Sequence, residues 1–117
     1  MAAPVASDWA RGEAVRIART ILSGEVGVLV GCVSLASVAH DVVADWRVDP
    51  DFTVFGAVAT EVDDLPLGKA RSQWNSAALA RADLEIERYT REVTEKVLSA
   101  CRNVLERFEP RRHAGAV

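Results

Sequence analysis

Ile21-Leu-Ser-Gly-Glu-Val-Gly-Val-Leu-Val-Gly-Cys-Val-Ser-Leu-Ala-Ser-Val-Ala-His-Asp-Val-Val43 is the stretch whose reading decides the fold. From Val26 to Ala39 no side chain is charged, and Cys32, Ser34 and Ser37 are its only polar residues. A segment with almost no face for water belongs in the buried middle of a domain. These 14 residues fall short of the roughly 20 that a spanning helix needs, so the segment reads as a core helix and not as a membrane span. Gly27 and Gly31 are four apart and share a face, which predicts the close approach of a neighbouring helix. Each glycine costs about 1 kcal/mol of helix propensity against alanine, and packing has to offset that.

Outward from this core the elements follow by periodicity. Residues 1–6 read as a loose leader, and Ser7-Asp8 as an N-cap with a negative charge in the first turn. Ala10, Ala14, Ile17, Ala18, Ile21 and Leu22 then recur at helical spacing, and Ser23-Gly24 ends the helix. Glu25 is expected to open the central helix, which runs to between Val43 and Trp46. Asp49-Pro50-Asp51 is a start signal for a short helix from Pro50 to about Val62. The β-branched run Phe52-Thr53-Val54-Phe55 leaves a strand as the alternative there. Glu61-Val-Asp-Asp-Leu-Pro-Leu-Gly68 is an acidic stretch running into a loop.

Asn75 is the natural cap of the last element, because from Ser76 to Phe108 there is neither proline nor glycine. Leu79, Ala82, Ile86, Tyr89, Val93, Val97, Ala100, Val104 and Phe108 make its buried stripe. Its other faces carry charge pairs four apart: Glu87 with Arg91, Arg88 with Glu92, Arg91 with Glu95, Glu92 with Lys96, Arg102 with Glu106. At 1.5 Å per residue this helix is about 50 Å long, so its stripe is expected to outrun a small monomer. A homodimer or a protein partner would then cover the surplus. Residues 110–117, with His113, read as a tail. The fold class is all-α: a small bundle of about four helices in a single domain, with a long C-terminal helix.

A chain of 117 residues with a net charge of -3 lacks the basic footprint of a nucleic-acid binder. Met1-Ala-Ala-Pro-Val-Ala-Ser-Asp8 has neither a basic start nor an apolar run, so no secretory signal is expected. Cys32 and Cys101 lie in apolar helical patterns without a Cys-x-x-Cys partner and read as reduced thiols of a cytoplasmic protein. No phosphate loop, nucleophile elbow, zinc motif or dinucleotide fingerprint is present, and no cofactor is implied.

Among residues that could carry chemistry, Glu61, Asp63 and Asp64 stand out, since clustered carboxylates offer the hard oxygen ligands that magnesium, manganese or calcium prefer. A solvated helix end is the more ordinary role of such a cluster. His40-Asp41 sits where a histidine complements a helix C-terminus. Catalysis through His40 would need a second acid or a nucleophile within reach. Trp46 and Trp74 flank loops, where a tryptophan covers a core or anchors a partner.

The chain resembles a family of small, uncharacterised bacterial helical proteins, a domain of unknown function. The resemblance covers most of Ala18 to Arg102. It rests on Ile21-Leu22-Ser23-Gly24-Glu25, Gly31-Cys32, Asp49-Pro50-Asp51-Phe52, Glu61 with Asp63-Asp64-Leu65-Pro66 and Gly68, Arg71, Trp74, Ala78-Leu79-Ala80 with Asp83 and Ile86, and Ala100-Cys101-Arg102. Where the family has a histidine before Leu-Pro this chain has Asp64, which removes a histidine ligand or base from that place. The resemblance implies a helical fold and a cytoplasmic bacterial protein, and no activity. Glu25, Glu61, Asp63, Arg71, Trp74 and Asp83 are its polar or amphipathic positions, readable as a site or as a buried salt-bridge network locking the loop onto the long helix.

Two functions compete. The first is a small acidic interaction module without catalysis, of the kind that neutralises or escorts another bacterial protein; a structural scaffold differs from it only in its partners. The second is a metal-dependent hydrolase in which Glu25, Glu61, Asp63 and Asp64 converge on a divalent cation. Helical nucleotide pyrophosphatases carry paired acidic motifs on facing helices, whereas here Glu61-Val-Asp-Asp64 has only Glu92-Val-Thr-Glu95 beside it.

Overall fold

The computed structural model describes residues 2–109, with side chains from Asp8 onward; the expected tail 110–117 lies outside them. Four α-helices and one 3-10 helix follow in order: α1 Ala2–Ser23, α2 Val28–Val42, α3 Thr53–Glu61, the 3-10 helix Gly68–Gln73, and α4 Ser76–Phe108. The all-α fold with its long last helix is therefore as read from the sequence, and no strand occurs among the described residues, not even through Phe52 to Phe55.

α1 starts earlier than expected. Ala2 to Ala6 are helical and Ser7-Asp8 lies inside the helix, not at its cap. Pro4 does not prevent this, since an amide in the first turn has no partner within the helix. Ala10, Ala14, Ile17, Ala18 and Ile21 form its buried face. It ends at Gly24, whose φ of 85° is the left-handed conformation that a glycine adopts without strain. A four-residue turn, Gly24 to Gly27, reverses the chain into α2.

α2 begins at Val28 with Gly27 as its N-cap, so Glu25 stands in the turn and does not open the helix. Gly31 is buried against Ile21 of α1, where an added Cβ would run into the isoleucine side chain. Gly27 touches nothing that a Cβ would meet, so only one of the two glycines serves close packing.

The expectation that α2 has no face to water is corrected. Leu29, Cys32, Leu35, Ala39 and Val42 are buried, but Val30 and Val33 are 40% and 42% exposed and Ser37 is exposed as well. The reason is the number of neighbours: α2 packs on α1, α3 and α4, and beside Val30 and Val33 lie Leu67 and Gly68, which leave both valines partly open to water. Small uncharged residues tolerate that position, and the Ser37 hydroxyl donates to the Ser34 carbonyl at 2.6 Å.

Asp49-Pro50-Asp51 forms a turn ahead of α3 and is not its first turn. Asp51 donates its amide to Asp49 Oδ1 at 3.0 Å, and the amides of Phe52 and Thr53 both reach the Asp49 carbonyl. Phe52, Phe55, Val58 and Val62 are buried at helical spacing. Trp46 lies against Gly56 so closely that a Cβ there would overlap its six-membered ring. This settles Trp46 as core cover. Gly56→Ala therefore forces the indole aside. Overpacking of about 1–3 kcal/mol, less the roughly 1 kcal/mol of helix propensity gained, leaves a net loss of about 1 kcal/mol. Gly12→Ala on α1, where a Cβ meets nothing, should instead stabilise by about 0.5–1 kcal/mol. Urea melts of the two variants check the opposite signs.

α4 is read correctly from end to end. Its 33 residues start at Asn75, whose side chain accepts from the Ala78 amide at 2.8 Å, and the helix sets the 56 Å long axis of the molecule. Ala82, Val93, Val97, Ala100, Cys101 and Val104 are buried; Leu79, Ile86, Tyr89 and Phe108 are half-buried. Burial along the stripe is deepest from Val93 to Val104, while toward the N-terminus Ala82 is buried, Leu79 and Ile86 are half-buried, and Arg71 of the preceding segment reaches Asp83. Of the predicted surface pairs only Arg88–Glu92 at 2.8 Å and Arg91–Glu87 at 3.9 Å form among the described residues. Long solvated side chains hold such pairs weakly. Cys32 and Cys101 are free, fully buried thiols, and burial pushes both up to about 12.

Candidate functional site

Several of the candidate residues lie on or beside the segment that follows α3. α3 ends at Glu61, and Val62 turns inward as its buried C-cap. Asp63 and Asp64 then face solvent, Pro66 is fully buried, and Leu65 and Leu67 on either side of it are half-buried. Gly68, at φ 57°, leads into the 3-10 helix. This segment is held at both ends by position-specific contacts.

Arg71 is the tie. Its Nη1 and Nη2 donate to Asp83 Oδ1 and Oδ2 of α4 at 2.7 and 3.0 Å, and Nη1 also reaches the Pro66 carbonyl at 3.4 Å. The Arg71 guanidinium holds the Asp83 carboxyl below its ordinary value by hydrogen bonding first and by charge second. The pair is solvated and its role is geometric: a planar fork on a carboxylate fixes orientation. The Trp74 amide donates to the Arg71 carbonyl, and the indole remains 38% exposed. Of the six candidate positions, then, Arg71 and Asp83 meet, with Trp74 close along the chain.

Glu25 does not join them. It accepts from the Ser23 hydroxyl at 3.2 Å in the α1–α2 turn. Glu61 and Asp64 line a hollow of about 290 Å³ with Leu65, Glu85, Arg88 and Tyr89. Burial raises the Tyr89 phenol, and the nearby Glu61 carboxylate adds to the shift. Arg88 is engaged by Glu92 at 2.8 Å and more loosely by Glu85 at 3.9 Å. Among the described residues no group of three or more His, Cys, Asp or Glu is placed to hold a metal ion, so the convergence of Glu25, Glu61, Asp63 and Asp64 does not occur.

His40 lies in the last turn of α2, exposed, with Asp41 at 3.5 Å, which is the helix-end role expected of it.

A second constellation escapes a reading by local pattern. Arg107 Nη1 donates to Asp49 Oδ1 at 3.0 Å and to Asp51 Oδ2 at 2.9 Å, clamping the α2–α3 loop onto the end of α4. Arg107 and Arg11 also flank the Phe108 ring, 4.8 and 6.0 Å from its centroid. Arg19 pairs with Glu109 beside them. The only sequence signal was the pair of acids around Pro50, which local pattern reads as a helix start.

Comparison of the chain with protein-family models, with curated proteins and with solved structures gave no significant match. No helix among the described residues is long and apolar enough to cross a membrane.

Proposed function

We propose that the protein is a small acidic interaction module that binds another protein through the uncharged outer face of α2. One observation carries the reading: Val30 and Val33 are exposed in a helix whose only ionisable side chains outside the core are His40 and Asp41 at its end. Together with Ser34, Leu67 and Gly68 they line a hollow of about 170 Å³. A hollow walled by valine and leucine on a surface otherwise rich in charge accepts an apolar side chain and disfavours ions. Two free, buried thiols favour a cytoplasmic setting, in line with the bacterial family that the sequence resembles.

The test replaces Val33 with a photoreactive benzophenone amino acid, and separately Glu87 on the charged face of α4. Irradiation in native cells should give a discrete protein adduct from position 33 and none from position 87. Val33→Asp in the same chain with the probe at 30 should abolish the adduct. No adduct at 33, or the same adducts at 87, overturns the reading. An adduct with a second copy of the chain makes the module a homodimer.

A further inference from the structure

We infer that the outer face of α1 is a contact between two copies of this chain, lying antiparallel across a two-fold axis at Gly12. It is on a different helix from the face described above. α1 packs on α2 and α4, with Ala10, Ala14, Ile17, Ala18 and Ile21 buried. At 3.6 residues per turn, Trp9, Gly12 and Arg16 fall within about 60° of one another on the opposite side, and Asp8 lies about 40° from Gly12. All four are exposed, so periodicity and accessibility agree on a single face.

Two residues of that face do nothing for the chain itself. Trp9 is 64% exposed, the most open aromatic side chain among the described residues. Tryptophan and arginine are the side chains most enriched among those that anchor protein contacts. Gly12, in the middle of α1, lowers the helix propensity there, and a Cβ on it would meet nothing. Unlike Gly31 and Gly56 it makes no room for a neighbour within the chain. What its missing side chain allows is a close approach from outside.

A second copy fits because the face is complementary to itself when reversed. Asp8 and Trp9 stand on the N-terminal side of Gly12 and Arg16 on the C-terminal side, with Asp8 and Arg16 each about 6 Å from it along the helix axis. A two-fold axis at Gly12 therefore sets Asp8 and Trp9 of each copy against Arg16 of the other, twice, with the two glycines at the crossing point. A parallel pairing would set arginine against arginine. The Arg16 Nε and Nη2 donate to Glu13, and such bonds lie in the plane of the guanidinium, which leaves its flat faces for an indole. Asp8 is held only loosely within its own chain, by Arg11 at 3.5 Å.

Sedimentation equilibrium and NMR of the full chain test the inference over a concentration range of about 10 μM to 1 mM. The mass should climb from monomer toward dimer with a dissociation constant of about 0.05–1 mM. The Trp9 indole N–H and the Gly12 amide should shift with concentration while the Val30 and Val33 methyls stay in place. Trp9→Ala, a change in open solvent, should weaken association about tenfold or more. Gly12→Ala separates interface from fold: it should weaken association about threefold or more while raising the urea midpoint measured on dilute monomer. Arg16→Asp should abolish association, and adding Asp8→Arg should recover part of it.

A chain that stays monomeric at about 1 mM overturns the inference, as does association that Trp9→Ala and Gly12→Ala leave unchanged. Concentration-dependent shifts at Val30 and Val33 in place of Trp9 and Gly12 put the second copy on α2 and overturn it as well. No recovery in the double variant rejects the antiparallel two-fold.

Discussion

Phe52→Ala should come close to unfolding the protein. The Phe52 ring is fully buried, edge-on to Phe55 at 5.8 Å and to Phe108 at 6.2 Å, and the residue also caps α3. Removing a phenylalanine from a core costs about 3–5 kcal/mol, a large share of the roughly 6–17 kcal/mol that a chain of this size holds in total. Two packing partners lose their neighbour together, because Phe55 belongs to α3 and Phe108 to the last turn of α4. The expected result is a fall of about 10–25 °C in melting temperature by circular dichroism. Phe52→Leu, which fills most of the space, should recover more than half of that. A fall of only a few degrees for the alanine variant would mean that the α3–α4 contact is not part of the cooperative core.

Arg107→Ala should cost about 2 kcal/mol near neutral pH, since it removes two charge-assisted hydrogen bonds and leaves Asp49 with little access to water. The loss should depend on pH. Asp49 is held below the usual carboxylate range, mainly by the Arg107 hydrogen bond and next, in opposition, by burial, which raises it. A carboxyl depressed in the folded state contributes stability above its unfolded value of about 3.9, and that stability disappears as pH falls through the folded value. Urea melts of wild type and variant should therefore differ most above pH ~5 and converge below pH ~4. A difference that stays constant down to pH ~2 would assign the loss to side-chain packing, since Arg107 also lies over Phe108.

What the sequence made legible was what local periodicity controls. α4 carries no proline or glycine, an Asn75 cap and an apolar stripe, and every one of those signals is short-range, so its ends and its buried face follow directly. The boundaries that moved were decided by less local terms. Asp49-Pro50 has the chemistry of a helix start, yet Asp49 spends its carbonyl and carboxylate on a turn and on Arg107. α2 has the composition of a fully buried helix, yet how many neighbours a helix obtains is a property of the whole chain. Arg71 and Asp83 do tie the loop to the long helix, but as a solvated pair and not as the buried network that the sequence suggests, because spacing does not show how much water reaches a side chain. The Arg107 clamp joins residues more than fifty apart, and no spacing rule reaches that far. The acidic residues at 61–64 read as candidates for metal chemistry, yet Glu61 and Asp64 share their hollow with Leu65, Arg88 and Tyr89 and are not placed to hold a metal ion.

The packing of α1 against α4 fixes the order in which the protein can be made. α1 leaves the ribosome well before α4, which covers much of its buried face. Arg19 and Glu109, paired in the folded protein, are about 90 residues apart, and at roughly 5–20 residues per second that is several seconds of synthesis. During that interval Ala10, Ala14, Ile17 and Ala18 have only the α1–α2 hairpin to shelter them. Closing so long a loop takes about 4 kcal/mol of chain entropy, which the last turns of α4 repay when Val97, Val104 and Phe108 seat. Folding of this bundle on the ribosome is therefore held open until α4 has been made, and a chain stopped short of α4 presents chaperones and proteases with an uncovered apolar hairpin.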